Sequence, residues 1–250
     1  MKQYTADFRA AVMFLTLLPA GRDGACSPVG MIKFFPLVGL VLGTFLAGFD
    51  LLVSLFWPPG VVAILDVILL IVFTGAFHLD GLGDAADGLF SHRSKEKALK
   101  IMKDSRIGMM GLVVVVCVLA LKVAGIYAIK SLNDTSLTFM ALWVVPAYSR
   151  ASMIFGICFL KYGRKNTGTG LDLFENRLNI KDFTFLLLPM MLSLLSGAKG
   201  LLLMIIFFGI VIILLGFYKK KMNCITGDML GAMTEVVEAG LFFAAGAGIV

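Results

Sequence analysis

The sequence predicts an all-α protein that crosses a membrane several times, with about seven transmembrane helices and a short N-terminal interfacial helix. Three observations carry this. Of the 250 residues, 59% are hydrophobic and only 15% are charged, where an ordinary soluble domain carries about 25% charged residues. The apolar residues fall in runs close to the ~20 residues that cross about 30 Å of hydrocarbon. The cations lie overwhelmingly on one side of those runs, as cytoplasmic loops do.

Taken in order, residues 6–19 form a short apolar segment behind Lys2 and Arg9, read as a helix lying on the membrane because no small-residue cleavage site follows. Seven candidate spans come next, at 34–57, 60–79, 108–129, 137–160, 183–198, 200–218 and 229–250. Trp57-Pro58-Pro59-Gly60 and Ser196-Gly197-Ala198-Lys199-Gly200 separate neighbouring spans by tight turns. Residues 1–250 read as one integral membrane domain.

Of 22 Lys and Arg, eighteen precede the first span or lie in the connections 80–107, 161–182 and 219–228. Arg22, Lys165 and Arg177 are among them, whereas Lys130 and Lys199 fall opposite, and Lys122 and Arg150 lie inside spans. The bias predicts a multi-pass protein of the cytoplasmic (inner) membrane, with the N-terminus inside and the C-terminus outside. The net charge of +6 therefore serves topology. Basic residues interleaved with aromatics on one face are absent, which argues against a nucleic-acid partner. Cys26, Cys117, Cys158 and Cys224 show neither metal-ligand nor disulfide spacing.

The densest polar stretch is Phe77-His78-Leu79-Asp80-Gly81-Leu82-Gly83-Asp84-Ala85-Ala86-Asp87-Gly88. Asp80, Asp84 and Asp87 stand at i, i+4 and i+7, so on a helix turning about 100° per residue they share a face about 60° wide. Three carboxylates on one stripe repel one another unless a cation lies between them. Hard oxygen ligands of this kind suit Mg²⁺ or Mn²⁺ bound together with substrate phosphates. Gly81, Gly83 and Gly88 weaken a helix but let backbone approach a bulky diphosphate. The competing reading is a solvated helix end decorated with acids.

Lys103-Asp104-Ser105-Arg106 brings a further carboxylate and two cations to the same membrane face. Lys103 and Arg106 are candidates to hold phosphate oxygens; topology alone also accounts for them, and Asp104 or Ser105 is equally suited to cap the next helix. Thr226-Gly227-Asp228 leads into the last span, where Glu235 shares a helical face with Asp228 and Glu238 follows one turn on. Ionisable groups inside a membrane are functional or paired; Arg150 and Lys122 are the available partners, so an ion pair and a substrate role both stand. His78 and His92 read as packing and surface residues. Asp50 and Asp66 fall toward the opposite membrane face.

Together these motifs resemble the cobalamin (5′-phosphate) synthase family, the adenosylcobinamide-GDP ribazoletransferases. The resemblance rests on residues 75–88 and 101–108, on Thr226-Gly227-Asp228 with Gly231, Ala232, Glu235 and Glu238, on Phe35-Pro36-Leu37-Val38-Gly39, and on Ser149-Arg150. It runs in order along the whole chain, departing at Leu17, where some members carry Arg. It implies a Mg²⁺-dependent transferase, Mn²⁺ being an alternative, that joins adenosylcobinamide-GDP to α-ribazole or its 5′-phosphate and releases GMP. The implied partners are corrinoid and nucleotide small molecules and the bilayer; a homo-oligomer is compatible with this reading. Asp80, Asp84 and Asp87 are then expected to hold the metal, and Asp104 and Asp228 to be catalytic, as further ligands or as base. Lys103, Arg106, Arg150, Glu235 and Glu238 are expected to contact substrate. Only the connections 80–107 and 161–182 are long enough to shape an opening for a corrinoid.

Two other classes compete. A CDP-alcohol phosphotransferase shares the opening Asp84-Ala85-Ala86-Asp87-Gly88, but Ser91 and His92 stand where that pattern needs Ala and Arg; a D-D-x-x-D prenyltransferase falls similarly short. A secondary transporter would use the charges within the spans as a pathway, but the acids concentrate at one face.

Overall fold

In hydrocarbon a chain must satisfy its backbone polar groups internally, so long apolar runs fold as helices. The structure is a computed structural model that describes residues 2–21, 27–104, 106–164, 170–175 and 178–247. Arg22, Cys26, Ser105, Lys165, Arg177 and the last three residues of the predicted seventh span lie outside the described residues.

The helices are α1 (Lys2–Leu15), α2 (Pro28–Ile32), α3 (Phe35–Val53), α4 (Pro59–Thr74), α5 (Phe77–Leu89) and α6 (Lys95–Ile101). They continue with α7 (Met109–Ser131), α8 (Thr135–Phe159), α9 (Leu187–Leu194), α10 (Ala198–Lys221) and α11 (Gly227–Ala245). Two 3₁₀ turns, Leu171–Phe174 and Ile180–Leu186, lie in the connection after α8.

Four helices among the described residues, α3, α7, α8 and α10, are long and apolar enough to cross a membrane; α4 and α5 make a fifth crossing at most, as a broken pair. The 60–79 run does not continue as one helix, because Gly75 and Ala76 both adopt left-handed φ values of 59° and 58°. Glycine takes this conformation freely and alanine does not. The chain therefore turns through 91° into α5. The 183–198 run divides into a 3₁₀ turn and α9, whose 8 residues span about 12 Å. The expected seventh span forms α11, which packs between α5, α7, α8 and α10 and runs from Asp228 beside Arg164 to an end where Gly246 meets Ala128 and Ile129. The 6–19 segment forms α1, whose 14 residues reach about 21 Å.

Backbone-to-backbone approach holds the bundle together. A Cβ on Gly43 would lie 2.0 Å from the Trp143 carbonyl oxygen, and one on Gly39 would lie 2.3 Å from that of Pro146. This lets α3 run flush along α8. Small residues at helix crossings are the membrane-protein solution where apolar burial alone gives little drive.

Polar links identify two ends. At one, Arg164 joins the connection after α8 to the Met102 carbonyl and to Asp228, so the end of α6, that connection and the start of α11 meet. At the other, Lys130 bonds Asp50 at 2.5 Å and Ser54 at 3.0 Å, and Lys199 bonds Asp134 at 3.1 Å. The two cations that sequence sets apart from the other loop cations thus lie together. Of the cysteines, Cys117, Cys158 and Cys224 are free.

Candidate active site

The acidic site is built where α5 crosses the start of α11. A Cβ on Gly81 would come within 3.0 Å of the Asp228 carbonyl oxygen, and one on Gly231 within 3.2 Å of the His78 carbonyl oxygen. The glycines in the aspartate stretch are thus spent on helix packing: Gly81 rests on α11 and Gly88 on Met102 and the Ala98 carbonyl. Beyond the room for a diphosphate that their spacing suggests, the crossing that Gly81 permits is what carries Asp228 to the aspartate stripe. Thr226 caps α11, accepting from the Met229 N–H at 3.2 Å.

Asp80, Asp84 and Asp87 do share one helix, α5, as the spacing predicts, but their surroundings differ. Asp80 is exposed, whereas Asp84 and Asp87 are half-buried. Asp84 feels the negative charges of Asp80, Asp228 and Asp87, opposed by Arg164. Asp87 accepts the Gly108 N–H at 2.6 Å and the Gly111 N–H at 2.8 Å. It therefore caps α7 from another helix, stabilising donors that a helix N-terminus otherwise leaves unpaired.

Asp228 pairs with Arg164. Burial pushes its carboxyl above the usual carboxylate range, and Arg164 opposes that rise. Asp104 accepts from Arg106 at 2.7 and 3.0 Å, which holds its pKa at about 2. Arg106 is 86% exposed and Lys103 also lies at the surface. Arg106 pairs at the surface, whereas Arg164 is tied into the bundle.

The expected substrate contacts inside the spans have another setting. Lys122 bonds Glu235 at 2.6 Å and Glu238 at 2.7 Å. Glu238 also accepts from Ser149 at 2.9 Å and pairs with Arg150, itself 2.8 Å from Ser149. Two cations face two anions, all at most 4% exposed. Of the two roles open to them, the structure places Arg150, Glu235 and Glu238 with Lys122 in a charge-balanced network within the bundle, where each charge is met by an opposite one. His78 is buried as expected, with both ring nitrogens unpartnered among the described residues. Asp50 and Asp66 lie with Lys130, away from the site.

Among the described residues, no three His, Cys, Asp or Glu side chains converge closely enough to form a metal cage. Mg²⁺ does not ordinarily need one: it takes one or two carboxylates, with water and substrate phosphates completing its shell. Asp80 and Asp84 fit that donor chemistry, since Asp87 spends both oxygens on backbone N–H groups and Asp228 is engaged by Arg164.

Arg164 has no motif around it and is, in the sequence, only one cation of a basic connection. Its position comes from a short parallel pairing of Tyr162 with Ile225, in which Gly163 N–H donates to Ile225 at 2.8 Å and Ile225 N–H to Lys161 at 2.9 Å. No local sequence signal announces that pairing.

The family model of cobalamin-5-phosphate synthase matches residues 7–246. The chain is 36% identical over 239 residues to the adenosylcobinamide-GDP ribazoletransferase of Acetivibrio thermocellus, covering 94% of each chain. It is 33% identical to that of Clostridium botulinum (95% of this chain, 96% of the other) and 34% identical to that of Alkaliphilus metalliredigens (92% and 91%). No solved structure matches. With an acidic site built from the same stretches that carry the resemblance, and a family match spanning nearly every residue, the chain belongs to the cobalamin-5-phosphate synthase family.

Proposed function

We propose that the chain is an enzyme of cobalamin biosynthesis that joins adenosylcobinamide-GDP to α-ribazole 5′-phosphate, or to α-ribazole, and releases GMP. A ribose hydroxyl oxygen forms a bond to the phosphorus attached to cobinamide. The bond from that phosphorus to the bridging oxygen breaks, GMP leaves with the electron pair, and the hydroxyl proton passes to a carboxylate. The observation that carries this reading is the α5–α11 crossing, which gathers Asp80, Asp84 and Asp228 at one end of a membrane bundle.

Phosphoryl transfer asks a protein for in-line positioning and charge neutralisation more than for covalent help. Asp80 and Asp84 are the residues to hold Mg²⁺, which when bound neutralises the diphosphate and the departing phosphate. Asp228, whose raised proton affinity suits a base, takes the hydroxyl proton. Lys103 and Arg106, at the surface of the same end, attract the anionic substrates, and Asp104 orients Arg106 through its two hydrogen bonds. Asp87 serves the site by fixing α7 against α5.

The basic connections support a cytoplasmic placement of this end in the inner membrane, with the N-terminus inside and the C-terminus outside. Purified protein reconstituted in membranes, given adenosylcobinamide-GDP and α-ribazole 5′-phosphate, should release GMP in step with a cobalamin product. Chelator should stop release and added Mg²⁺ restore it. No turnover from folded protein with either ribazole form overturns the reading in favour of CDP-alcohol chemistry or transport.

A further inference from the structure

The acidic site contains a cation of its own. Arg164 follows directly on the Tyr162–Ile225 pairing, so its backbone is fixed beside the strand-like segment that leads into α11. Its Nη2 donates to the Met102 carbonyl at 3.1 Å and to Asp228. Its side chain is 12% exposed, and its buried Nε has no partner among the described residues. Arg164 is also the positive charge that opposes the acids around Asp84. A guanidinium offers five donors in a planar fork matched to carboxylate and phosphate. Here one carboxylate and one carbonyl occupy part of that fork, and an inner donor is unspent.

A diphosphate entering among Asp80, Asp84 and Asp228 is an anion entering an anionic site, and it needs a cation already there. Arg106 is turned to Asp104 at the surface. Arg150 and Lys122 are consumed within the bundle. We propose that Arg164 is the diphosphate-binding residue of this site and that it exchanges Asp228 for oxygens of the guanosine diphosphate group. Asp228 is thereby released toward the acceptor hydroxyl only when the diphosphate is in place. This rests on the transferase reading above, and it adds to it a substrate contact and a gate: in the ligand-free chain the base is held by the same guanidinium that later holds the substrate. A base masked in this way is held back until the diphosphate is bound.

The test uses the full chain in lipid nanodiscs with Mg²⁺ and GDP as the binding probe, together with steady-state GMP release. Losing a charge-assisted contact to phosphate should weaken GDP binding in Arg164→Gln by about tenfold to a hundredfold. The KM for adenosylcobinamide-GDP should rise in parallel, with the KM for α-ribazole 5′-phosphate unchanged. Arg164→Lys should recover part of the loss, keeping charge without the fork. Asp228→Asn supplies an independent arm: with its competing anion removed, Arg164 should bind GDP more tightly while turnover falls. Arg164 variants that lower the melting temperature but bind GDP like wild type would overturn the proposal and leave Arg164 a buttress between connections. So would an Asp228→Asn variant with unaltered GDP affinity. Wild-type protein that neither binds GDP nor releases GMP overturns the transferase reading itself, and the proposal with it.

Discussion

Two groups of charged side chains sit in this bundle, and they have opposite economies. In the interior, Lys122 and Arg150 face Glu235 and Glu238 with Ser149 between them, and the four charges cancel within hydrogen-bonding distance. At the end where α5 crosses α11, Asp80, Asp84, Asp87 and Asp228 outnumber the one arginine that, among the described residues, opposes them. Burial explains the contrast. An unpaired charge within hydrocarbon-facing helices is costly enough that only a closed set persists, whereas carboxylates open to water can carry a surplus of negative charge. Charge is in surplus at the open end and balanced in the interior, where it ties the helices together.

The strongest test of that contrast is Asp80→Ala, which should reduce GMP release by about a thousandfold or more while the protein still inserts and keeps its melting temperature; retained activity would remove Asp80 from the site. Next is Glu238→Ala, which leaves Arg150 without its carboxylate and Lys122 with only one. Breaking a buried pair costs about 3–5 kcal/mol, so this variant should show a large fall in melting temperature or in recovered protein. If it folds normally and loses only substrate affinity, the interior network is a substrate site after all. Asp87→Ala tests a residue on the border between the two groups. As a cap it should cost about 1 kcal/mol, read by thermal unfolding, with measurable GMP release retained; a loss as complete as that of Asp80→Ala would return it to the metal ligands. The smallest expected effect on the fold is that of Arg106→Ala, whose exposed pair with Asp104 contributes little to stability. Its melting temperature should match wild type, with the KM for adenosylcobinamide-GDP raised severalfold.

The long helices were legible because they answer to one physical quantity, the length of apolar chain needed to cross hydrocarbon. The runs at 34–57, 108–129, 137–160 and 200–218 correspond to α3, α7, α8 and α10. That quantity says nothing about backbone conformation inside a run. It therefore read through the left-handed turn at Gly75 and Ala76, and through the 3₁₀ turn before α9. The same limit applied to the acids: helical spacing put Asp80, Asp84 and Asp87 on one element, but not the Gly108 and Gly111 donors that engage Asp87.

By itself the sequence determined the solvent of this protein, its helical class, its charge asymmetry and the stretches from which its acidic site is made, because each depends on composition or on spacing within one helix. Tertiary structure alone decided how each carboxylate is used. Gly81 and Gly231 permit the crossing that brings Asp228 to the stripe, the Tyr162–Ile225 pairing sets Arg164 beside it, and Lys122 and Arg150 find Glu235 and Glu238. A charge takes its role from the partner within a few ångströms, and here each of those partners comes from a distant part of the chain.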